Sequence, residues 1–336
     1  MVTIEDIQAA AARIQVHRTP VLKCSTLDSL VSEKIGSVEL FFKCELLQKT
    51  GGMTNTFKIR GATNAVNLLT EQEAARGVVT HSSGNHAQAI AFAAQQRGIP
   101  AYVVMPRNAP EVKKAAVRGY GATVVECEPT QEKRQEVTEQ LARETGATLI
   151  HPFNNVNVIA GQGTIATEFI AQTDEQGTPL DALLVPVGGG GMLSGCSIAA
   201  KALNPRIQVF AGEPDTVNDA FRSYSTKTRQ SNPTGQASIA DGLSANIGEL
   251  TFPLIINNVD GIFTVSEAEI VKAMKLVWTR MKLCIEPSAA VPLAVALFSI
   301  DFHERARKEG LRKIGIVFSG GNVDHAHAVN LFEKFT

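Results

Sequence analysis

From residue 77 onward the chain alternates short, continuous apolar runs with longer segments whose apolar positions recur every three or four residues. Residues 77–81, 101–105, 123–126 and 148–150 read as strands, and 85–96, 110–118 and 131–144 read as helices between them, the second with Pro110 in its first turn. Strands and helices alternating at this spacing predict a parallel sheet covered on both faces. Further apolar runs predict strands at 39–45, from Leu183 to Val187, at 208–214 and at 314–318. Near the N-terminus Ile4, Ile7, Ala11 and Ile14 share one helical face, and Thr3 with Asp6 can cap that helix. A further helix opens at 286–290, and the polar stretch 223–238 reads as a surface loop.

Composition narrows the class. A chain of 336 residues, 44% hydrophobic and 19% charged, can bury a large core and is expected to form two domains. A net charge of −1 gives no electrostatic footprint for nucleic acid or an anionic membrane surface. No apolar run is long enough to span a bilayer, and the first residues carry acids where a secretory signal carries bases. The five cysteines, Cys24, Cys44, Cys127, Cys196 and Cys284, are scattered without a C-x-x-C and read as reduced thiols of a cytoplasmic protein. His325 and His327 fall on different faces of a helix, so no zinc site is expected there.

Chemistry enters at residues 181–195, DALLVPVGGGGMLSG, where a buried strand runs through Gly188, Gly189, Gly190 and Gly191 into a small-residue helix starting near Met192. Missing side chains let backbone N–H groups approach an anion, and the helix N-terminus adds favourable potential, so this is a candidate phosphate cradle. It is not a P-loop, because no Gly-Lys-Ser/Thr follows, and it fails the dinucleotide fingerprint at Leu193 and Ser194. Residues 161–166, GQGTIA, do fit G-x-G-x-x-A, but polar residues precede them and Asp181 begins a strand instead of ending one, which argues against the nicotinamide reading. A phosphorylated cofactor calls for a reactive amine. Lys58 stands between Phe57 and Ile59 in a loop rich in glycine, threonine and asparagine. A lysine in apolar company tends to lose its proton, as carbonyl chemistry requires, although this window taken alone favours a surface lysine with a buried stem. Ser82, Ser83, Gly84, Asn85 and His86 form another ligand-type turn at a strand's C-terminal end. Glu213 and Asp219 could serve a hard cation with a backbone carbonyl between them, or be two solvated acids near a helix start.

Taken in order, FFKCELLQKT, FKIRGA, HSSGNHAQA, AGQGTIA, VGGGGMLSG, ADGL, IEPSAA and SGGNVD resemble the serine racemase and serine/threonine dehydratase family of fold type II (tryptophan synthase β-like) pyridoxal-phosphate enzymes. The resemblance spans nearly the whole chain. It implies an α/β fold of two open, twisted parallel-sheet domains with the cofactor between them: a large domain of residues 1–68 and 152–336, and a small one of 69–151. It also implies that Lys58 carries pyridoxal 5'-phosphate as a Schiff base, that Gly188–Gly191 and Met192 hold its phosphate, that Asn85 meets the ring hydroxyl and that Ser319 meets the pyridine nitrogen. Ser82, Ser83 and His86 would receive the substrate carboxylate. Glu213, the Val217 carbonyl and Asp219 fall on the family's divalent-cation site, for Mg2+, Ca2+ or Mn2+. The partner expected is a small amino acid, serine or threonine, in a homodimer.

The same resemblance implies a mechanism. Lys58 takes the α-proton from one face and a second acid, Ser83, serves the other; dedicated dehydratases of the family more often carry alanine there. Loss of the β-hydroxyl would instead give pyruvate and ammonia, so racemisation and elimination are expected together. The alternative is a catabolic serine/threonine or hydroxyaspartate dehydratase with little racemisation. The chain departs from the family at Gly52-Met53-Thr54-Asn55, extra residues that could reshape the substrate side of the pocket. Nothing after the final SGGNVD segment resembles the family's regulatory domain, so isoleucine feedback is not expected.

Overall fold

A computed structural model of the chain describes residues 2–48 and 55–335. Ten strands form two sheets. The larger has the order β1-β2-β10-β7-β8-β9, with β1 Val21–Leu22, β2 Glu39–Cys44, β7 Ala182–Pro186, β8 Gln208–Pro214, β9 Gly261–Val265 and β10 Lys313–Phe318. The smaller has the order β5-β4-β3-β6, with β3 Val78–His81, β4 Ala101–Pro106, β5 Thr123–Cys127 and β6 Thr148–Leu149. Every pairing is parallel except β1 with β2, so the large sheet is mixed at one edge and the expected all-parallel sheet is corrected there. A strand of two residues is too short to leave a signal in the apolar pattern.

The strand period of two sorts the apolar runs onto opposite faces. Ala182 and Leu184 of β7 join Leu40 and Phe42 of β2 and Ile314, Ile316 and Phe318 of β10 in one core; Leu183, Val185, Phe41 and Val317 enter another on the opposite face. A third core joins the small sheet to Ile59, Ala62 and Val66 of the helix Lys58–Asn67. Pro287–Phe298 is buried on nearly all sides, Pro292 included.

Two local expectations change. Ala10 is buried in place of Ala11, so the N-terminal helix turns its face by one residue about the buried Ile7. Residues 223–226 belong to the helix Asp219–Thr226, with Ser223 buried, and only the remainder of 223–238 is a loop. GQGTIA lies inside the long helix Val156–Glu175. Its glycines are helix-crossing contacts: a Cβ on Gly161 would lie 2.6 Å from the Cα of Gly61, and one on Gly163 would lie 2.9 Å from the carbonyl of Gly195. Their small size brings three helices together, so the spacing that mimics a dinucleotide fingerprint has a packing cause.

A buried ionic group stands beneath the lysine helix. Arg60 donates to both oxygens of Glu45 at 2.8 Å and to Glu168 at 3.0 Å, while Lys43 meets Glu168 at 2.5 Å and Thr19 donates to Glu45 at 2.7 Å. Lys43, Glu45 and Arg60 are all shielded from water. Two cations against two carboxylates, each multiply hydrogen-bonded, satisfy the condition under which buried charge is tolerated.

Candidate active site

The C-terminal ends of β3, β6, β7 and β10 converge, bringing four turns into one place. The link begins at Lys58, which is the first residue of a helix and not a loop residue. Just before it, Thr56 forms an antiparallel bridge with Gly320, Phe57 N–H donates to the Ser319 carbonyl at 3.0 Å, and Gly321 N–H donates to Asn55 at 3.0 Å. This short ladder fastens the lysine turn to the turn after β10, so Lys58 and Ser319 share a site although 261 positions separate them. Residues 52–54 of the expected insertion lie outside the described residues; Asn55 is described, with φ of 45°.

The Lys58 amine donates to the Pro152 carbonyl at 3.3 Å and lies 5.0 Å from the Phe57 ring centre. Burial pulls its pKa down to about 8, partly offset by the carboxylate of Glu286. Such an amine gives up its proton near neutrality, as a nucleophile or base must. Glu286, at the cap of Pro287–Phe298, has its own pKa pushed up to about 7 by burial and by Asp241.

Asn85 begins the helix Asn85–Arg97, and its amide is held from both sides. Its Nδ2 donates to Glu286 at 2.9 and 3.2 Å, and its Oδ1 accepts from Asn322 Nδ2 at 2.8 Å. The bonds fix which way the amide faces and leave one N–H for a ligand. Ser82 and Ser83 are half-buried in the turn before this helix, and the Ser82 hydroxyl accepts from Gly84 N–H at 3.2 Å. His86 is buried, with Nε2 3.3 Å from the Ile150 carbonyl and Nδ1 without a partner among the described residues. Burial, Lys58 and two further histidines keep its pKa well below the usual range, so it is neutral. With Nε2 donating to that carbonyl, the neutral ring's Nδ1 is an acceptor, so an anionic group at this helix N-terminus would be met by backbone N–H groups and hydroxyls and not by the ring.

In the glycine run, close packing leaves no room for side chains. A Cβ on Gly189 would stand 2.3 Å from the Phe153 ring, one on Gly191 2.9 Å from Phe153 Cβ, and one on Gly188 2.8 Å from the Leu243 backbone, while Gly190 has φ of +88°. The carbonyl of Gly189 turns outward to accept from Thr251 Oγ1 at 2.8 Å and Gly248 N–H at 3.3 Å. The helix Gly191–Leu203, including Met192, follows directly and adds its N-terminal N–H groups.

Glu213, Val217 and Asp219 come together elsewhere, at the end of β8. Glu213 accepts from the N–H groups of Ala220 and Phe221 at 2.9 and 2.8 Å; Asp219 accepts from Asn232 at 2.6 Å and Ile247 N–H at 2.7 Å. All three residues are buried. Desolvation and the neighbouring Asp219 raise Glu213 well above the usual carboxylate range, and burial raises Asp219. Two adjacent buried carboxylates demand a proton or a cation between them. Among the described residues no group of three or more His, Cys, Asp or Glu is gathered in a metal-binding arrangement.

Four contributors escaped the sequence reading: Glu286, Asn322, His151 and Phe153. The first two lay in motifs already noted, IEPSAA and SGGNVD, yet only the fold aims them at Asn85. A π-helical turn at Val277–Met281 and a left-handed Lys282 steer the chain into Glu286, and no residue pattern announces either.

The sequence profile of the family described as "Pyridoxal-phosphate dependent enzyme" matches residues 13–320. The chain is 50% identical to a serine racemase of Dictyostelium discoideum over 96% of its own length and 95% of the relative's. It is 44% identical to a β-hydroxyaspartate dehydratase of Paracoccus denitrificans over 96% of each chain. The solved structure of maize serine racemase superposes with a TM-score of 0.91 at 42% identity, covering 99% of this chain and 97% of that one. The residues present fit pyridoxal phosphate: an amine of lowered pKa, an anchored amide with one free N–H, a buried hydroxyl at Ser319, and a glycine run leading into a helix N-terminus.

Proposed function

We propose, from the premise that the chain belongs to the pyridoxal-phosphate-dependent enzyme family, that it interconverts L- and D-serine and also eliminates water from serine to give pyruvate and ammonia. The observation that carries this reading is a lysine of lowered pKa at the meeting of the strand ends, on a chain 50% identical to a serine racemase. Pyridoxal phosphate bound to Lys58 supplies the aldehyde that engages the substrate amine and a sink for the electrons left when the α-proton departs. Gly188, Gly189, Gly190, Gly191 and Met192 hold its phosphate, the free N–H of Asn85 meets its ring oxygen, and the Ser319 hydroxyl meets its ring nitrogen. Ser82, Ser83 and His86 receive the substrate carboxylate at a helix N-terminus.

Lys58 removes the α-proton as an uncharged amine, and the Ser83 hydroxyl returns a proton to the opposite face, which inverts the centre. If the β-hydroxyl leaves with a proton as water, the remaining carbon skeleton hydrolyses to pyruvate and ammonia. A division into residues 1–68 with 152–336 and residues 69–151 places Lys58 and the glycine run on one side and Ser83 and Asn85 on the other, so closure completes the site. Glu213, the Val217 carbonyl and Asp219 hold a divalent cation, Mg2+ being our choice, in place of the proton that their proximity otherwise demands. A homodimer in the cytoplasm completes the proposal; among the described residues no helix is long and apolar enough to cross a membrane.

The test is chiral chromatography of protein incubated with L-serine and pyridoxal phosphate, following D-serine and pyruvate together. Both products should form, and Ser83→Ala should lose D-serine while still releasing pyruvate. Pyruvate alone from the unaltered protein, with elimination indifferent to Ser83→Ala, would favour the dehydratase reading. The 44% identity to a β-hydroxyaspartate dehydratase keeps that reading alive and makes hydroxyaspartate and threonine the next substrates to try.

A further inference from the structure

His151 lies just past β6, outside every motif that the proposed chemistry uses. Its Nδ1 accepts two backbone hydrogen bonds, from Asn154 N–H at 2.9 Å and from Phe153 N–H at 3.3 Å. An acceptor nitrogen carries no proton, so the ring is the neutral tautomer with its hydrogen on Nε2. Burial and the nearby His81 and Lys58 favour the same state, holding the pKa at about 4.

The three residues this imidazole gathers each touch the cofactor site. The carbonyl of Pro152 accepts from the Lys58 amine at 3.3 Å. The Phe153 ring occupies the space that a side chain at Gly189 would need. Asn154 Oδ1 accepts from Leu250 N–H at 2.8 Å, next to Thr251, whose hydroxyl holds the Gly189 carbonyl at 2.8 Å. The segment 152–154 therefore braces both the amine and the glycine run.

We propose that His151 is a positioning residue for pyridoxal phosphate: its Nδ1 fixes the path of residues 152–154, through which Lys58 and the phosphate-binding turn are set relative to each other. The inference rests on the cofactor assignment above. The ring also makes edge contacts with Phe153, at 4.5 Å between centres, and with His81, at 5.5 Å. A purely packing role would be kept by phenylalanine; a positioning role would be kept by asparagine, whose short amide accepts from N–H groups two and three residues ahead.

The experiment titrates cofactor-free wild type, His151→Phe and His151→Asn with pyridoxal phosphate, reading visible absorbance and the borohydride-fixed adduct at Lys58. The phenylalanine variant should bind roughly tenfold or more weakly, the size of one or two lost hydrogen bonds, and the asparagine variant should fall within about threefold of wild type. If His151→Phe does not fold, His151→Gln takes its place with the same expected loss, because its oxygen lies one bond too far along the side chain. Wild-type affinity in the phenylalanine or glutamine variant, or equal weakness in the asparagine variant, overturns the proposal. A wild type that takes up no cofactor would overturn the proposed function along with it.

Discussion

Replacing Lys58 by methionine separates what the site does for chemistry from what it costs the fold. The pKa of Lys58 falls from 10.5 to about 8 because burial disfavours the charged amine. At about 1.4 kcal/mol per pH unit, that difference destabilises the cofactor-free protein by about 3 kcal/mol wherever the folded amine is charged. A basic group depressed in the folded state exerts its full penalty below its folded pKa, and the penalty fades between pH 8 and 10.5 as the folded amine becomes neutral. Methionine fills similar space without a charge but forfeits the hydrogen bond to Pro152, worth about 1 kcal/mol. Cofactor-free Lys58→Met should therefore be more stable than wild type by about 2 kcal/mol at pH 6, with the gain gone by pH 10. It should also be inactive in both reactions. Urea unfolding of the two proteins at pH 6, 8.5 and 10 measures the difference. A variant no more stable than wild type at pH 6, or one whose advantage persists undiminished at pH 10, would refute the assignment of Lys58 as a desolvated amine.

Other outcomes test the surrounding groups. Glu286 is a carboxyl whose folded pKa is raised from 4.5 to about 7, so the stability it contributes is complete below pH 4.5 and lost as pH rises through 7. Glu286→Gln, which can still accept from Asn85, should remove that pH slope, about 3 kcal/mol in size, from chemical denaturation of the cofactor-free protein. Gly189→Ala would drive a methyl to 2.3 Å from the Phe153 ring; equilibrium titration should show pyridoxal phosphate binding weakened by at least about tenfold. Glu213→Ala should lower turnover in a way that excess magnesium or calcium does not restore. Wild-type rates unaffected by a chelator would count against a cation at Glu213 and Asp219.

The sequence by itself determined the larger part of the architecture. Short continuous apolar runs such as ALLVP and KIGIVF fit strands buried on both faces, and their alternation with helical periods leaves few options besides a layered α/β fold. The glycine run was legible because its spacing has a backbone meaning independent of distant contacts, and Lys58, Asn85 and Ser319 were legible through resemblance. The tertiary structure decided what depended on long-range packing. GQGTIA has the spacing of a dinucleotide loop, yet only the crossing of its helix with Gly61 and Gly195 makes its glycines packing contacts. Lys58 in its own window could have been a surface lysine. The bridge from Thr56 to Gly320 holds it half-buried where the strand ends meet, and desolvation there lowers its pKa. Glu286 and Asn322 are ordinary polar residues in sequence, because a side chain's partners across 201 or 237 positions are set by which strand ends meet, and local pattern carries no record of that meeting.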